Sequence, residues 1–163
     1  MATPTLVLGL GNLLLGDEGL GVRALEDLQS RYDLPADLGC LDGGVAGMGL
    51  LAHVEGVRQL LVIDAVQAGR EPGSLIRLEG AEIPEGCSLK LSLHQLGLPD
   101  LLALSRLRGT LPPRVVLWGM EPACLEPGVG LSAPVASRLR QLVDEIAGEL
   151  RAWGMAVRPA VSG

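Results

Sequence analysis

The chain has 163 residues, of which 48% are hydrophobic and 20% are charged, and its net charge is −6 at pH 7. This length and balance predict one globular domain with a substantial core and exclude a largely disordered chain. The acidic charge, the single lysine and the 2% of aromatic residues argue against binding to nucleic acid or to an anionic membrane surface.

The cysteines and the N-terminal apolar stretch bear on the cellular compartment. Cys40, Cys87 and Cys124 are far apart and form no Cys-x-x-Cys pair, so we expect neither a disulfide framework nor a cysteine zinc site. The apolar stretch 6–15 is interrupted by glycines, follows no basic segment and is too short to span a bilayer. We therefore expect a cytoplasmic protein.

Five short apolar runs, several of them flanked by glycine or proline, predict the strands of one sheet. In chain order they cover residues 5–10, 37–41, 59–63, 74–78 and 114–118. Helical patterns lie between most of these runs. The first begins at Leu20 and ends before Pro35, the second covers residues 46–54, and the third follows Pro99 and stops at Gly109.

The clearest helical pattern lies near the C-terminus, where seven apolar residues share one helical face. They are Val135, Leu139, Leu142, Val143, Ile146, Leu150 and Trp153. Ser132 is the expected N-cap, Pro134 fits the first turn and Gly154 is expected to end the helix. We expect the tail after Val157 to be frayed.

The alternation of strands and helices predicts a three-layer α/β fold, in which a mostly parallel, twisted five-stranded sheet carries helices on both faces. We expect a single domain over residues 1–163. Only a short segment with Pro72 and Gly73 separates the third and fourth strands, which is too short for a crossover helix. The fourth strand is therefore predicted as an antiparallel edge strand.

Polar side chains follow successive strands, where ligands bind in open α/β sheets. These residues are Asp17, Glu18, Asp42, Asp64, His94 and Glu121. The predicted fold brings the carboxylates and the imidazole to one rim of the sheet. Such a group suits a divalent metal ion such as nickel or zinc, and also suits acid–base chemistry.

The acidic residues also have structural interpretations. Asp17 and Glu18 suit the start of a helix, where acids are favoured by capping and by the helix dipole. Asp42 precedes two glycines and suits a turn. Asp64 is harder to explain structurally, because it directly follows an apolar run.

The remaining polar candidates have structural interpretations as well. Glu121 precedes Pro122 and suits a turn, although it also fits the rim. His94 suits an ordinary polar loop position. His53 lies inside a predicted helix, and we interpret it as a structural or surface residue.

The first glycine loop raises the alternative of a dinucleotide-binding oxidoreductase. Gly9-Leu10-Gly11 after a strand is similar to the start of a dinucleotide-binding motif. Leu14 stands where the third glycine belongs, and Asp17 and Glu18 would repel a pyrophosphate. This alternative is therefore disfavoured.

Taken in order, the motifs of this chain resemble those of the hydrogenase maturation protease family over most of its length. The motifs that carry the resemblance are Gly9-Leu10-Gly11-Asn12, Gly16-Asp17-Glu18-Gly19-Leu20-Gly21, Asp42-Gly43-Gly44-Val45-Ala46-Gly47-Met48, Asp64-Ala65, His94-Gln95-Leu96-Gly97-Leu98, Trp118-Gly119-Met120-Glu121-Pro122 and Gly130-Leu131-Ser132. Each motif alone is weakly specific, whereas the ordered set is specific.

The resemblance implies an endopeptidase that removes the C-terminal extension of a nickel-loaded precursor of the nickel–iron hydrogenase large subunit. It implies that Glu18, Asp64 and His94 contact the nickel and that Asp42 is a further acidic position of the site. We take Asp64, Glu18 and Asp42 as the catalytic candidates of an aspartyl-type enzyme. We expect a monomer without an organic cofactor, whose nickel arrives with the substrate. The alternative within this resemblance is a non-catalytic chaperone that binds nickel and the precursor.

Overall fold

The computed structural model of the chain describes residues 4–43, 49–83 and 98–161. A 3-10 helix, Gly16–Gly19, precedes the first α-helix. The strands are β1 (Thr5–Gly9), β2 (Tyr32–Asp33), β3 (Leu38–Asp42), β4 (Gln59–Ala65), β5 (Leu75–Glu79), β6 (Arg114–Met120) and β7 (Arg158–Pro159). The helices are α1 (Leu20–Arg31), α2 (Gly49–Val54), α3 (Leu98–Leu107), α4 (Ala133–Ala136) and α5 (Leu139–Ala152).

The main sheet has five strands in the order β3-β1-β4-β6-β5. The pairs β1–β3, β1–β4 and β4–β6 are parallel, whereas β5 pairs with β6 in the antiparallel direction at the edge of the sheet. The fold class predicted from the sequence is confirmed, including the antiparallel edge strand. The observed strand ends differ from the predicted ones by at most two residues, because β4 and β6 continue to Ala65 and Met120.

Both faces of the sheet are buried under helices, which produces the three layers. Alternate residues of β4 show this directly: Leu60 and Val62 pack with α2 and α3, whereas Leu61 and Ile63 pack with α1 and α5. Side chains of a strand alternate between the two faces, so a strand covered on both sides is apolar throughout. This explains the uninterrupted apolar run that precedes Asp64.

The C-terminal helical region differs from the single helix predicted from the sequence. It forms two helices, α4 and α5, which are separated at Ser137 and Arg138. Ser132 occupies the N-cap position of α4 but makes no side-chain capping bond, and its hydroxyl donates to the carboxylate of Asp17. Pro134 lies in the first turn of α4, and Gly154 follows α5 with a φ of 91°.

The segment after Val157 is more ordered than expected. Val157 itself is buried in the core. Arg158–Pro159 pairs in the antiparallel direction with Tyr32–Asp33, and the Ala160 amide donates to the Arg31 carbonyl at 2.9 Å. These contacts tie the segment to the end of α1. Within the described residues, no helix has the length and apolar character needed to cross a membrane.

Candidate active site

The carboxyl ends of the parallel strands bring two predicted site residues to one edge of the sheet. Asp42 is the last residue of β3, and in the strand register it lies opposite Gly9, which in turn lies opposite Ile63 of β4. Asp64 follows Ile63 directly. With one strand between them, the backbones of β3 and β4 are separated by about 10 Å. Asp42 is exposed, whereas Asp64 is only 8% exposed.

Asp64 is a buried carboxyl group with an unusual ionisation. Its Oδ1 accepts a hydrogen bond from the amide of Ala65 at 2.8 Å. Burial raises the pKa of Asp64 to about 7; the Ala65 hydrogen bond opposes this shift and the negative charge of Glu18 adds to it. Asp64 can therefore take up or release a proton close to neutral pH.

Glu18 is held beside Asp64 by the turn that follows β1. It lies in the 3-10 helix, where its amide donates to the Leu15 carbonyl and its carbonyl accepts from the amide of Asn12. Gly11 has a φ of 125°, and a Cβ at this position would lie 1.7 Å from the carbonyl oxygen of Glu18. Only glycine fits here, so the glycine loop of the sequence serves to place the backbone of Glu18.

Asp17 is an internal anchor and does not line the rim. It is completely buried, and its carboxylate accepts four hydrogen bonds: Oδ2 from the amides of Ala123 and Cys124 and from the hydroxyl of Ser132, and Oδ1 from the amide of Ser132. Burial raises the pKa of this carboxyl, but the hydrogen bonds outweigh burial and the net pKa is lowered. Asp17 is thus ionised and fully engaged, and it does not cap α1 as its position in the sequence suggested.

Glu121 is a second buried anchor, and it holds the loop that follows Asp64. It is 7% exposed, and its Oε1 accepts hydrogen bonds from the amides of Ala68 and Arg70 at 2.8 and 2.9 Å. The backbone of Glu121 also pairs with Gly73 and Ser74. The sequence suggested only a turn residue at this position. The side chain of Glu121 in fact fixes a loop more than fifty residues away in sequence.

The close packing of β6 against β4 further fixes Asp64. In the strand register Gly119 lies opposite Asp64. A Cβ at Gly119 would lie 2.1 Å from the Asp64 carbonyl oxygen, a separation that real Cβ atoms do not show. A side chain at position 119 would therefore displace the backbone that carries the candidate catalytic carboxyl group.

Sequence and structure comparisons identify the family of the chain. The sequence profile of the hydrogenase maturation proteases matches residues 22–149. The chain belongs to the hydrogenase maturation protease family. It is 39% identical to the hydrogenase 2 maturation protease of Escherichia coli over 155 residues, which cover 94% of each protein. It is 42% identical over 154 residues to the hydrogenase expression/formation protein HupD of Rhodobacter capsulatus, covering 93% of this chain and 73% of that protein.

Solved structures give the same result for this hydrogenase maturation protease. The hydrogenase maturating endopeptidase HybD from Escherichia coli superposes with a TM-score of 0.88 at 39% identity, covering 98% of both chains. The nickel–iron hydrogenase maturation protease HybD from Thermococcus kodakarensis superposes with a TM-score of 0.70 at 28% identity, covering 92% of this chain and 99% of that one. The resemblance inferred from the motifs is confirmed, and the chain is an endopeptidase of this family.

The structure brings together part of the set of metal-contacting residues that the resemblance implies. The negative charge of Glu18 contributes to the raised pKa of Asp64, so these two carboxyl groups lie near each other. His94 lies outside the described residues, so the set Glu18, Asp64 and His94 stays a prediction. Across residues 4–43, 49–83 and 98–161, no group of three or more histidine, cysteine, aspartate or glutamate side chains is arranged to hold a metal ion.

The other candidates can be placed individually. His53 is an exposed residue of α2, which agrees with its interpretation as a surface residue. Cys40 and Cys124 are free thiols, and Cys87 lies outside the described residues. The part of the rim that the structure describes therefore offers carboxyl chemistry, with a buried acid of pKa about 7 and a glutamate next to it.

Proposed function

We propose that this hydrogenase maturation protease removes the C-terminal extension of a nickel-loaded large-subunit precursor of a nickel–iron hydrogenase. The nickel of the substrate is the recognition element, and Glu18, Asp64 and His94 contact it. The observation that carries the proposal is the pairing of the buried Asp64 with Glu18 at the carboxyl edge of a parallel sheet. Ligands bind at this edge in open α/β folds.

The charges and burial of Asp64 and Glu18 favour the binding of a divalent cation at the rim. At neutral pH the charge of Glu18 and the burial of Asp64 both oppose ionisation of Asp64. A cation carried into the rim by the precursor would favour the ionised form and displace the proton. A precursor without nickel brings no such compensation, so the rim distinguishes the two forms of the substrate. Carboxylate and imidazole together are a suitable ligand set for nickel.

Hydrolysis of the peptide requires a group that takes a proton from the attacking water. Asp64 is the first candidate for this role, because the nickel of a bound precursor favours its ionised form and only the ionised carboxylate can accept a proton. Glu18 and Asp42 are the further catalytic candidates. Asp42 is exposed at the end of β3 and is accessible to a bound peptide. One strand, β1, lies between β3 and the strand that carries Asp64.

Three further properties belong to the same proposal. The protein acts in the cytoplasm, it acts as a monomer, and it uses no organic cofactor. A protease that meets a folded precursor transiently needs an open rim, and a monomer leaves the rim accessible. The nickel leaves with the processed large subunit, so no permanently bound metal ion is required.

The test is the intact mass of a cognate precursor, with and without nickel, after incubation with the protein. We expect loss of a C-terminal peptide from the nickel-loaded form alone. Asp64→Asn and His94→Ala should each lower the rate of precursor cleavage by about 100-fold or more. The control is Asp37→Asn, which alters an exposed acid at the opposite end of the β3 segment and should leave the cleavage rate unchanged. If the precursor binds but its mass does not change, the protein is a non-catalytic, precursor-binding chaperone and the proposed protease activity is wrong.

A further inference from the structure

The first half of the 3-10 helix that carries Glu18 is bound to a distant segment, residues 123–132. The carboxylate of Asp17 accepts hydrogen bonds from the amides of Ala123 and Cys124 and from both the amide and the hydroxyl of Ser132. The donor–acceptor distances are 2.7 to 3.0 Å. The backbone adds three bonds: the Asp17 amide donates to the Cys124 carbonyl, the Gly16 amide to the Gly128 carbonyl, and the Gly128 amide to the Leu14 carbonyl. We call these contacts the Asp17 clasp.

A four-residue 3-10 helix cannot hold its own orientation, because it has few internal hydrogen bonds and these have poor geometry. External contacts must therefore fix the direction in which Glu18 leaves the backbone. Gly11 and Asn12 confine the carbonyl of Glu18 on one side. The Asp17 clasp fixes the residue immediately before Glu18 from the other side.

The side chain of Ser132 gives independent support, because its hydroxyl bonds the distant Asp17 and no amide of its own helix. A serine at an N-cap usually bonds an amide of the first helical turn, which stabilises its own helix. Ser132 stands at the N-cap of α4 and makes no such bond. Its hydroxyl instead donates to Oδ2 of Asp17 at 2.7 Å, across 115 residues of sequence. The Asp17 carboxylate, which precedes Glu18, thereby gains a charge-assisted hydrogen bond from a residue of another element.

We infer that Asp17 and Ser132 are positioning residues, which hold Glu18 at the rim beside Asp64 and fix the 123–132 segment next to it. This inference rests on the proposed function, in which Glu18 contacts the nickel of the precursor. Neither residue touches the substrate. Loss of the clasp is expected to weaken the recognition of nickel while leaving the remaining precursor contacts intact.

The variants are chosen to separate positioning from folding. Ser132→Ala removes one side-chain hydrogen bond of the clasp, and Ser132→Thr restores a hydroxyl. Ser137→Ala is the matched control, since the exposed Ser137 hydroxyl donates to the Pro134 carbonyl at 3.0 Å in the same region. Asp17→Asn is the stronger change, because it places an amide group against four donors. Should Asp17→Asn fail to fold, the serine series still decides the question.

The first readout is the affinity of the full-length protein for nickel-loaded and nickel-free precursor, at a temperature where every variant is folded. Ser132→Ala should reduce the preference for the nickel-loaded form about 10-fold, with unchanged affinity for the nickel-free form. Ser132→Thr should restore the preference and Ser137→Ala should leave it alone. A purely structural hydroxyl would change neither affinity per folded molecule, and that outcome would overturn the inference.

The second readout needs no substrate and distinguishes failure of the inference from failure of the proposed function. Backbone amide resonances of Asp17 and Glu18 should shift in Ser132→Ala and return in Ser132→Thr, whereas Ser137→Ala should leave them in place. If the wild-type protein shows no nickel preference, the proposed function fails while these shifts still establish the clasp. Unshifted Glu18 resonances in Ser132→Ala would contradict the clasp even in an active protease.

Discussion

The carboxyl groups of Asp64 and Glu18 lie close enough for one charge to affect the ionisation of the other. Burial is the main cause that raises the pKa of Asp64 to about 7, and the charge of Glu18 acts in the same direction. An ionised Asp64 that is buried beside the negative charge of Glu18 is therefore unfavourable in the folded state. The site therefore lowers the stability of the fold at neutral and alkaline pH.

The first prediction concerns Asp64→Asn and its dependence on pH. The carboxyl pKa is raised from 3.8 in the unfolded chain to about 7 in the folded one, so the folded state binds the proton more tightly. The free energy of unfolding therefore falls as pH rises from about 4 to about 7 and then stays low. Asp64→Asn removes this penalty and should unfold at higher urea concentration than the wild type at pH 8, by up to about 4 kcal/mol.

The comparison at two pH values makes this prediction specific. The advantage of Asp64→Asn should shrink as pH falls towards 4 and disappear below about pH 3, where the wild-type carboxyl is protonated in both states. Asp37→Asn, which alters an exposed acid, should follow the wild type at both pH values. Equal stability of the wild type and Asp64→Asn at pH 8 would show that the carboxyl group is not destabilised by its surroundings.

The second prediction concerns Glu121 and the loop after β4. Glu121→Ala leaves the amides of Ala68 and Arg70 without their acceptor and should lower the free energy of unfolding by about 1–3 kcal/mol. The residue 66–73 loop should then become more sensitive to limited proteolysis, which mass spectrometry of the fragments will locate. Glu121→Gln keeps an acceptor oxygen and should lose less. Equal proteolysis of all three proteins would argue against the anchoring role.

The third prediction concerns Glu149, whose contribution to the free energy of unfolding is lost at low pH rather than at high pH. Glu149 accepts hydrogen bonds from Arg77, Trp118 and Trp153. Burial raises the pKa of Glu149, but these bonds outweigh it and the net pKa is lowered. The stabilisation is present above the unfolded pKa near 4.5 and is lost as pH falls through the lower folded pKa.

Glu149→Gln is the variant that tests this network. It should lower the free energy of unfolding by about 1–3 kcal/mol at pH 7, with a difference that shrinks as the wild type is acidified. The two tryptophans of the chain both donate to Glu149, so intrinsic fluorescence reports the unfolding directly. A difference that grows towards acidic pH would reverse the assigned direction of the pKa shift.

The sheet could be predicted from sequence because its signals are local. The buried run before Asp64 and the proline–glycine turn before β5 each lie within a few residues of the element they define. The two-residue strands β2 and β7 are too short to give a periodic signal, and they pair although they lie far apart in sequence. The break between α4 and α5 was missed because Val135 and Leu139 stay on one apolar face whether the helix is continuous or interrupted.

The rim was predictable for a different reason. Parallel strands end at one edge, so acids at their ends lie along that edge, as Asp42 and Asp64 do. The anchors were not predictable, because their partners are remote: Asp17 meets Ser132 across 115 residues. An acid that follows a glycine at the start of a helix gives the same sequence pattern whether it caps that helix or accepts hydrogen bonds from elsewhere. Only the packed structure distinguishes the two roles.

The last prediction separates two glycines that look alike in the sequence. A Cβ at Gly119 would lie 2.1 Å from the Asp64 carbonyl and 2.9 Å from a methyl group of Val66, whereas no atom of the described residues lies within 4 Å of a Cβ at Gly148 in α5. Gly119→Ala must displace the backbone of Asp64 and should lose several kcal/mol of stability, on the order of 3 kcal/mol or more. Gly148→Ala fills open space in an exposed helix and should gain about 0.5–1 kcal/mol.

Thermal unfolding of both variants, followed by circular dichroism, gives the comparison under identical conditions. Where Gly119→Ala remains folded, its activity on the nickel-loaded precursor should fall as well, because the displaced carbonyl belongs to the residue that carries the candidate catalytic carboxyl. Gly148→Ala should retain full activity at its higher melting temperature, since the added methyl group contacts none of the described residues that form the rim. A tolerated alanine at position 119 would mean that β6 can separate from β4 without disturbing Asp64, and the rigid placement of this acid would have to be abandoned.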